Sequence, residues 1–151
     1  MGKITEILQT AQQRAHDMKL PYEGALLPRE AYELMVDLPS AKLIDVRSHA
    51  EWDLAGSVPG SIQLEWQTYP GWRPNPFFLT HLKQQVDPES LMMFMCRSGG
   101  RGHQAASAAT QAGFIDCYNV LEGFEGDRDK LTQQRSKHNG WKAAGLPWVQ
   151  S

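Results

Sequence analysis

The chain has 151 residues, a formal net charge of -2 and 41% hydrophobic residues, which is typical of one domain with a buried core. No block of like charges occurs, so the composition predicts neither a nucleic-acid partner nor a membrane partner. Two cysteines are too few for a disulfide scaffold, and each one is therefore considered singly.

The first predicted element is a helix. Apolar residues recur at helical spacing from Ile4 to Met18, and the helix should end before Pro21. This part of the chain lacks the uninterrupted apolar stretch of a signal peptide or membrane span, so we expect a cytoplasmic protein. Residues 1–26 are predicted to form a helix and linker that pack on a domain formed by residues 27–151.

Strands and helices alternate through the rest of the chain. A second helix is predicted from Pro28, whose fixed φ suits a first helical turn, and Pro39 stops it. Short apolar runs at 43–46, 61–64, 91–95 and 118–121 predict strands, and the wholly apolar run 91–95 should be central. An alanine stripe predicts a helix over 102–113. This order predicts an α/β fold with a mainly parallel central sheet and helices on both faces.

Cys96 follows the predicted central strand and opens a glycine-rich loop that leads into a helix. The rest of that loop is Arg97, Ser98, Gly99, Gly100 and Arg101. Glycines let successive N–H groups converge on one point, and the helix start adds partial positive charge. These features favour a thiolate, which is the nucleophile in sulfur exchange. A buried, inert thiol is the alternative, and the glycines and arginines argue against it.

Three residues are interpreted as supports for this loop. Asp45 lies inside an apolar strand, where an ionised carboxylate needs a partner such as Arg47 or Arg101. We predict that Asp45 and Arg47 hold the geometry of the loop without touching the sulfur. Arg101 either binds an anionic substrate or pairs with an acid such as Asp45 or Glu51. Arg97 either attracts an anionic substrate or is solvated.

Structural interpretations are favoured for the remaining candidate residues. Cys117 lacks a glycine loop and is interpreted as structural, with a resolving thiol for Cys96 as the alternative. The five histidines lack metal-ligand spacing, so no metal or other cofactor is predicted, and a surface position is favoured for His103. The aromatic rings of residues 66–78 either wall the pocket or pack beneath a proline-rich loop, and we favour packing.

The loop CRSGGR at 96–101 resembles the active-site loop of rhodanese-homology domains. Three further segments resemble characteristic segments of that family and occur in the same order: 43–51, 56–61 and 140–147. The likeness therefore covers about residues 27–148. It implies a sulfurtransferase that moves sulfane sulfur from thiosulfate or a persulfide donor to a thiol or cyanide acceptor. The carrier would be a Cys96 persulfide held by the amides of the loop. Two positions depart from the family, which often has His at Ser57 and Ser at Gly102.

Two alternatives to a free-standing sulfurtransferase stay open. A sulfur-relay or regulatory rhodanese module would act on a partner protein, and the presence of Cys96 is compatible with a relay. A cysteine phosphatase or arsenate reductase is less favoured, because those enzymes resemble C-x5-R whereas Arg101 gives C-x4-R. The predicted partners are a small anionic sulfur donor and a thiol acceptor, and the pattern indicates no oligomeric state.

Overall fold

The computed structural model describes residues 2–150, which form an α/β fold. The helices are α1 (Lys3–Met18), α2 (Pro28–Asp37), α3 (His49–Ala55), α4 (Phe78–Gln85) and α5 (Gly100–Gln111). The strands are β1 (Gly24–Leu26), β2 (Ala41–Asp45), β3 (Ile62–Gln63), β4 (Gln67–Thr68), β5 (Arg73–Pro74), β6 (Leu91–Met95) and β7 (Cys117–Val120). Within this part of the chain, no helix is both long and apolar enough to span a membrane.

Five strands form a parallel sheet in the order β1-β7-β6-β2-β3, with β6 at its centre as predicted. Successive side chains of a strand point to opposite faces, so a wholly apolar strand needs cover on both. Met93 and Met95 join a core cluster that includes residues of α1 and α2, whereas Met92 and Phe94 join one that includes residues of α4 and α5. The predicted fold class is therefore confirmed.

Two boundaries differ from the sequence prediction. Helix α5 begins at Gly100 rather than at residue 102, because Gly99 takes a left-handed conformation (φ 117°) that turns the chain into the helix early. The edge strand β1 lies in the segment 1–26, and the sequence pattern did not predict it because it is only three residues long. It pairs with β7, and α1 packs against it.

Helix α5 lies so close to the sheet that Gly102 has no room for a side chain. A Cβ there would lie 2.4 Å from Asn119 Oδ1 and 3.0 Å from the Phe94 carbonyl oxygen. A Cβ at Gly100, in the same helical turn, would meet nothing within 4 Å. The family that the loop resembles often has Ser at position 102. The lack of space for a Cβ gives a steric reason for glycine at that position in this chain.

We expect Gly102→Ala to lower the free energy of unfolding by about 1–3 kcal/mol, because the added methyl group displaces Asn119 or the helix. Gly100→Ala is the matched control and should be neutral or stabilising by up to about 1 kcal/mol, since Gly100 does not have a positive φ and alanine reduces the conformational entropy of the unfolded chain. Urea unfolding of both variants measures the difference. Equal stabilities would contradict the close packing of α5 on β7.

Candidate functional site

Cys96 lies at the carboxyl end of the central strand, and its side chain is buried (1% exposed). The backbone N–H of Gly99 donates a hydrogen bond to Cys96 Sγ at 3.0 Å. Helix α5 begins at the next residue, so the partial positive charge of its N-terminus lies beside the same sulfur. The loop therefore places one N–H donor and the start of a helix beside Sγ, and both favour negative charge there.

The backbone of the cysteine loop is held by a turn that follows β7. Phe124 N donates to the Cys96 carbonyl oxygen at 2.8 Å, and Glu125 N donates to the Arg97 carbonyl oxygen at 2.9 Å. Gly123 has φ 65°, and a Cβ there would lie 2.4 Å from Cys96 O. This turn therefore fixes the direction in which the loop leaves the sheet.

Arg101 turns back to pair with Glu51 on α3. Its Nη1 and Nη2 donate to the two Glu51 carboxylate oxygens at 2.6 and 2.9 Å, and both side chains are only 13% exposed. The guanidinium also lies 4.9 Å from the centre of the Trp72 ring. Of the partners considered from the sequence, the structure brings Arg101 to Glu51, and this pair ties the helix end of the loop to α3.

Glu51 is held in its charged form. Burial raises the pKa of its carboxyl, but hydrogen bonds from Arg101 and Ser48 outweigh burial and lower the pKa from 4.5 to about 2. Ser48 N and Oγ donate to Glu51 Oε1 at 3.0 and 2.9 Å, which also caps α3. Because the pKa is lower in the folded state, the stabilisation is complete above about pH 4.5 and is lost as the pH falls towards 2.

We expect Glu51→Gln to lower the free energy of unfolding by about 3 kcal/mol at neutral pH, since the charge of Arg101 loses its partner. The gap between wild type and variant should close as the pH falls from 4.5 to 2, because wild-type Glu51 then becomes protonated too. Denaturant titrations across this range measure the gap. Glu89→Gln, at an exposed site, is the control and should change the free energy of unfolding at neutral pH by no more than about 0.5 kcal/mol. A difference in the free energy of unfolding between wild type and Glu51→Gln that stays constant with pH would contradict the lowered pKa of Glu51 in the folded protein.

Asp45 and Arg47 form a buried ion pair beneath the loop, and neither side chain is exposed. Arg47 Nη2 donates to Asp45 Oδ2 at 2.7 Å and to the Gly56 carbonyl oxygen at 2.7 Å. The Arg47 guanidinium also lies 4.2 Å from the centre of the Phe124 ring. Asp45 therefore pairs with Arg47 rather than with Arg101, and the pair contacts the turn that holds Cys96.

A cavity of about 310 Å³ opens over the loop. It is lined by the loop and by two glutamines, namely Cys96, Arg97, Ser98, Gly100, Arg101, Gln67 and Gln104. Gln67 comes from β4, and Gln104 Oε1 accepts a hydrogen bond from Trp66 Nε1 at 2.9 Å. Asn119 Nδ2 donates to the Gly99 carbonyl oxygen at 3.2 Å behind the loop. Gln67 and Asn119 were not predicted from the sequence, because they are distant from Cys96 in the chain. Gln104 was not predicted either, although it lies three residues after Arg101 on α5, a spacing that places two side chains on one face of a helix.

Residues 66–78 form the β4–β5 hairpin and reach α4. Trp66 and Phe78 pack edge to face at 5.0 Å between ring centres, and Phe78 is buried. Tyr69 and Trp72 are 57% and 40% exposed and contact each other at 5.4 Å. The favoured packing interpretation therefore holds for Trp66 and Phe78, whereas Tyr69 and Trp72 line a surface cavity.

His103 does not line the cavity over the loop, because its Nδ1 is hydrogen-bonded to the Tyr22 hydroxyl at 2.8 Å. Among residues 2–150, no group of three or more His, Cys, Asp or Glu side chains has a metal-binding arrangement.

Cys117 lies at the far end of the sheet from Cys96. Cys117 on β7 pairs in register with Met92 on β6, and Cys96 lies four residues after Met92 in the chain. At about 3.3 Å per residue this separates the two cysteines by about 13 Å, well beyond the roughly 7 Å that a disulfide allows between Cα atoms. The resolving-thiol alternative for Cys117 is therefore wrong for this fold.

Burial raises the pKa of the Cys117 thiol to about 11, so only about one molecule in a thousand has this thiolate at pH 8. We expect iodoacetamide at that pH to modify Cys96 in the folded protein and to leave Cys117 unmodified, as peptide mass spectrometry would show. In Cys96→Ser, Cys117 should react only after denaturant is added. Rapid modification of Cys117 in that folded variant would contradict the assignment.

Most of the chain matches the sequence model of a known family. A family model for the rhodanese-like domain matches residues 27–130. The chain belongs to the rhodanese-like domain family. The resemblance drawn from the loop CRSGGR is therefore confirmed, and the five-stranded parallel sheet is the sheet of a rhodanese-like domain.

Individual relatives of this rhodanese-like domain cover most of its length. The crystal structure of Rv0390 from M. tuberculosis is 39% identical with a TM-score of 0.78, covering 86% of this chain and 99% of that one. An uncharacterized protein of Rickettsia conorii is 33% identical over 125 residues, or 79% of this chain and 91% of the relative. Thiosulfate sulfurtransferase GlpE of Tolumonas auensis is 29% identical over 94 residues, or 62% of this chain and 78% of the relative.

Proposed function

We propose that this rhodanese-like domain is a sulfurtransferase that carries sulfane sulfur as a persulfide on Cys96. The observation that carries the proposal is the hydrogen bond from Gly99 N to Cys96 Sγ at 3.0 Å, at the start of a helix and beneath an open cavity. Such an environment stabilises both a thiolate and an anionic persulfide. The likeness to a thiosulfate sulfurtransferase supports the same reaction class.

In the first half-reaction, the Cys96 thiolate attacks the outer sulfur of thiosulfate. A bond forms between Sγ and that sulfur, the sulfur–sulfur bond of thiosulfate breaks, and its electron pair leaves with sulfite. Cys96 then carries Cys–S–S⁻, so the total charge is unchanged. The Gly99 N–H, and the neighbouring amides of Ser98 and Gly100, are the groups that would hold the new anionic sulfur.

In the second half-reaction, an acceptor thiolate or cyanide attacks the outer sulfur of the persulfide. The new bond gives a persulfide or thiocyanate product, and the electron pair of the broken bond returns to Cys96 as a thiolate. Donor and acceptor therefore use the same cavity in turn, which gives ping-pong kinetics. No proton transfer is needed when the acceptor enters as a thiolate.

The charged residues around the loop have different proposed roles. Arg97 lines the cavity and would attract the anionic donor. Arg101 also lines the cavity, but its guanidinium is bound to Glu51, so we assign it to positioning the loop. Asp45 and Arg47 are positioning residues as well, because they act on Cys96 through Phe124.

The phosphatase alternative has less support. A phosphatase loop needs its arginine to bind the phosphate oxygens, whereas here Arg101 is engaged by Glu51 through two hydrogen bonds. The C-x4-R spacing argues in the same direction. A protein acceptor in a sulfur relay would use the same Cys96 persulfide and therefore differs from our proposal only in the second half-reaction.

Intact mass spectrometry of the purified protein after thiosulfate treatment tests the proposal. We expect a gain of one sulfur atom per chain, its location on the peptide that contains Cys96, and its removal by cyanide with release of thiocyanate. A chain that gains no cyanide-labile sulfur, or gains it on another residue, would refute the proposal. An aryl phosphate assay on the same sample checks the phosphatase alternative.

A further inference from the structure

One polar side chain lies beneath the cysteine loop, on a strand that is otherwise part of the core. Asn119 on β7 is only 3% exposed, and its Nδ2 donates to the Gly99 carbonyl oxygen at 3.2 Å. Its Oδ1 is buried and has no hydrogen-bond partner within residues 2–150. Because an unpaired buried oxygen lowers stability, the amide is not explained by the stability of the fold and points to a role at Gly99.

Helix α5 leaves the space that this amide occupies. A Cβ at Gly102 would lie 2.4 Å from Asn119 Oδ1, so glycine at position 102 lets the Asn119 side chain reach the start of the helix. The hydrogen bond to Gly99 therefore depends on one residue of the strand and on one residue of the helix.

The Gly99 carbonyl oxygen accepts a second hydrogen bond, from His103 N at 3.0 Å. That bond is the first of α5, so the carbonyl points along the helix. In a trans peptide the C=O and N–H point in opposite directions, and the Gly100 N–H therefore points out of the helix N-terminus, where Cys96 Sγ lies. Gly100 also lines the cavity over Cys96. The direction of the Gly99–Gly100 peptide thus decides whether an N–H or a C=O faces the sulfur.

Two consecutive glycines do not fix that direction by themselves. Turning the peptide over changes ψ of Gly99 and φ of Gly100, and glycine tolerates both positive and negative φ. Gly99 already has φ 117°. The orientation of this peptide therefore depends on the hydrogen bonds to its carbonyl oxygen, and Asn119 supplies the one that does not belong to the helix.

We propose that Asn119 is a positioning residue for sulfur transfer, whose amide keeps the Gly100 N–H directed at the sulfur of Cys96 and of its persulfide. The hydrogen bond to the Gly99 carbonyl also polarises the peptide, which makes the N–H of the same peptide a stronger donor. The role at the persulfide rests on the proposed function, whereas the role at the Cys96 thiolate is independent of sulfur transfer. Asn119 itself touches neither the sulfur nor the cavity.

Asn119→Ala tests this role with two measurements on folded protein. The first is the rate of Cys96 alkylation by iodoacetamide as a function of pH, and we expect the midpoint of the profile to rise by about half a unit to one unit. The second is kcat/KM for thiosulfate with cyanide as the acceptor, which should fall about tenfold. Asn119→Val, with a side chain that suits a strand, replaces the alanine variant if that variant does not fold.

Two further variants separate positioning from general stability. Tyr118→Phe, at the next position on β7, removes a buried hydroxyl that accepts a hydrogen bond from Gln12 Nε2 and points to the other face of the sheet. It should leave both measurements unchanged. Gly100→Ala disfavours the turned peptide, which needs a positive φ at position 100. In that background Asn119→Ala should lower kcat/KM by no more than about threefold.

The outcomes separate this inference from the proposed function. If thiosulfate does not load wild-type Cys96 with sulfur, the proposed function fails, and the alkylation profiles still test Asn119. If Cys96 is loaded but Asn119→Ala keeps the wild-type profile and kcat/KM, the role of Asn119 is overturned while the sulfurtransferase proposal stands. An equal loss of kcat/KM from Asn119→Ala with glycine and with alanine at position 100 would also overturn it, because the loss would then not come from the direction of the peptide.

Discussion

Replacement of Cys96 by serine is expected to lower sulfur transfer by at least about a thousandfold, to the limit of detection. The hydroxyl of serine is a far weaker nucleophile at neutral pH than a thiolate, and the loop of this chain has no adjacent general base that would activate it. The substitution changes one atom at a buried site, so the fold should persist. Thiocyanate formation from thiosulfate and cyanide measures the loss, and circular dichroism checks the fold.

Cys117→Ser is the matched control for that experiment. Cys117 is also buried at one end of a sheet strand, but it lies about 13 Å from Cys96 along the sheet and lines neither cavity near the loop. Its variant should keep transfer activity per folded molecule, even if the buried hydroxyl lowers stability. Equal loss of activity in folded samples of both variants would refute Cys96 as the carrier.

Replacement of Asp45 by asparagine is expected to lower the free energy of unfolding by about 3–5 kcal/mol. The change removes the only carboxylate that the buried Arg47 guanidinium contacts within residues 2–150, and neither side chain is exposed to solvent. For a chain of this size the loss corresponds to a decrease in Tm of about 10 °C. Guanidinium unfolding and thermal melting measure the two quantities.

The exposed His49–Asp53 pair provides the control, since Asp53→Asn at a surface pair should cost no more than about 1 kcal/mol. If Asp45→Asn does not fold, the double variant Asp45→Asn/Arg47→Met keeps the prediction testable. It removes the buried charge together with its partner and should recover much of the stability. Similar costs for Asp45→Asn and Asp53→Asn would contradict the importance of burial.

Much of the fold follows from local patterns. The helical spacing in α1 and the apolar run of β6 predicted those elements and their places, because each pattern reports which faces of an element are buried. Strand β1 was missed because three residues carry no periodicity. The β4–β5 hairpin was predicted as a plain loop, since its two-residue strands pair only with each other.

The sequence by itself determined the position and make-up of the Cys96 loop, from which Cys96 is proposed as the sulfur carrier, because Cys96, two glycines and two arginines are neighbours in the chain and act through local backbone geometry. Only the tertiary structure decided which acid pairs with which arginine. Arg101 is fifty residues from Glu51, and the sequence alone left Asp45 as an equally possible partner of Arg101. The order of the strands in the folded chain determines which carboxylate lies next to the Arg101 guanidinium. The surface cavity lined by Tyr69 and Trp72 arises in the same way, since α3 and the β4–β5 hairpin meet only when long-range packing brings them together.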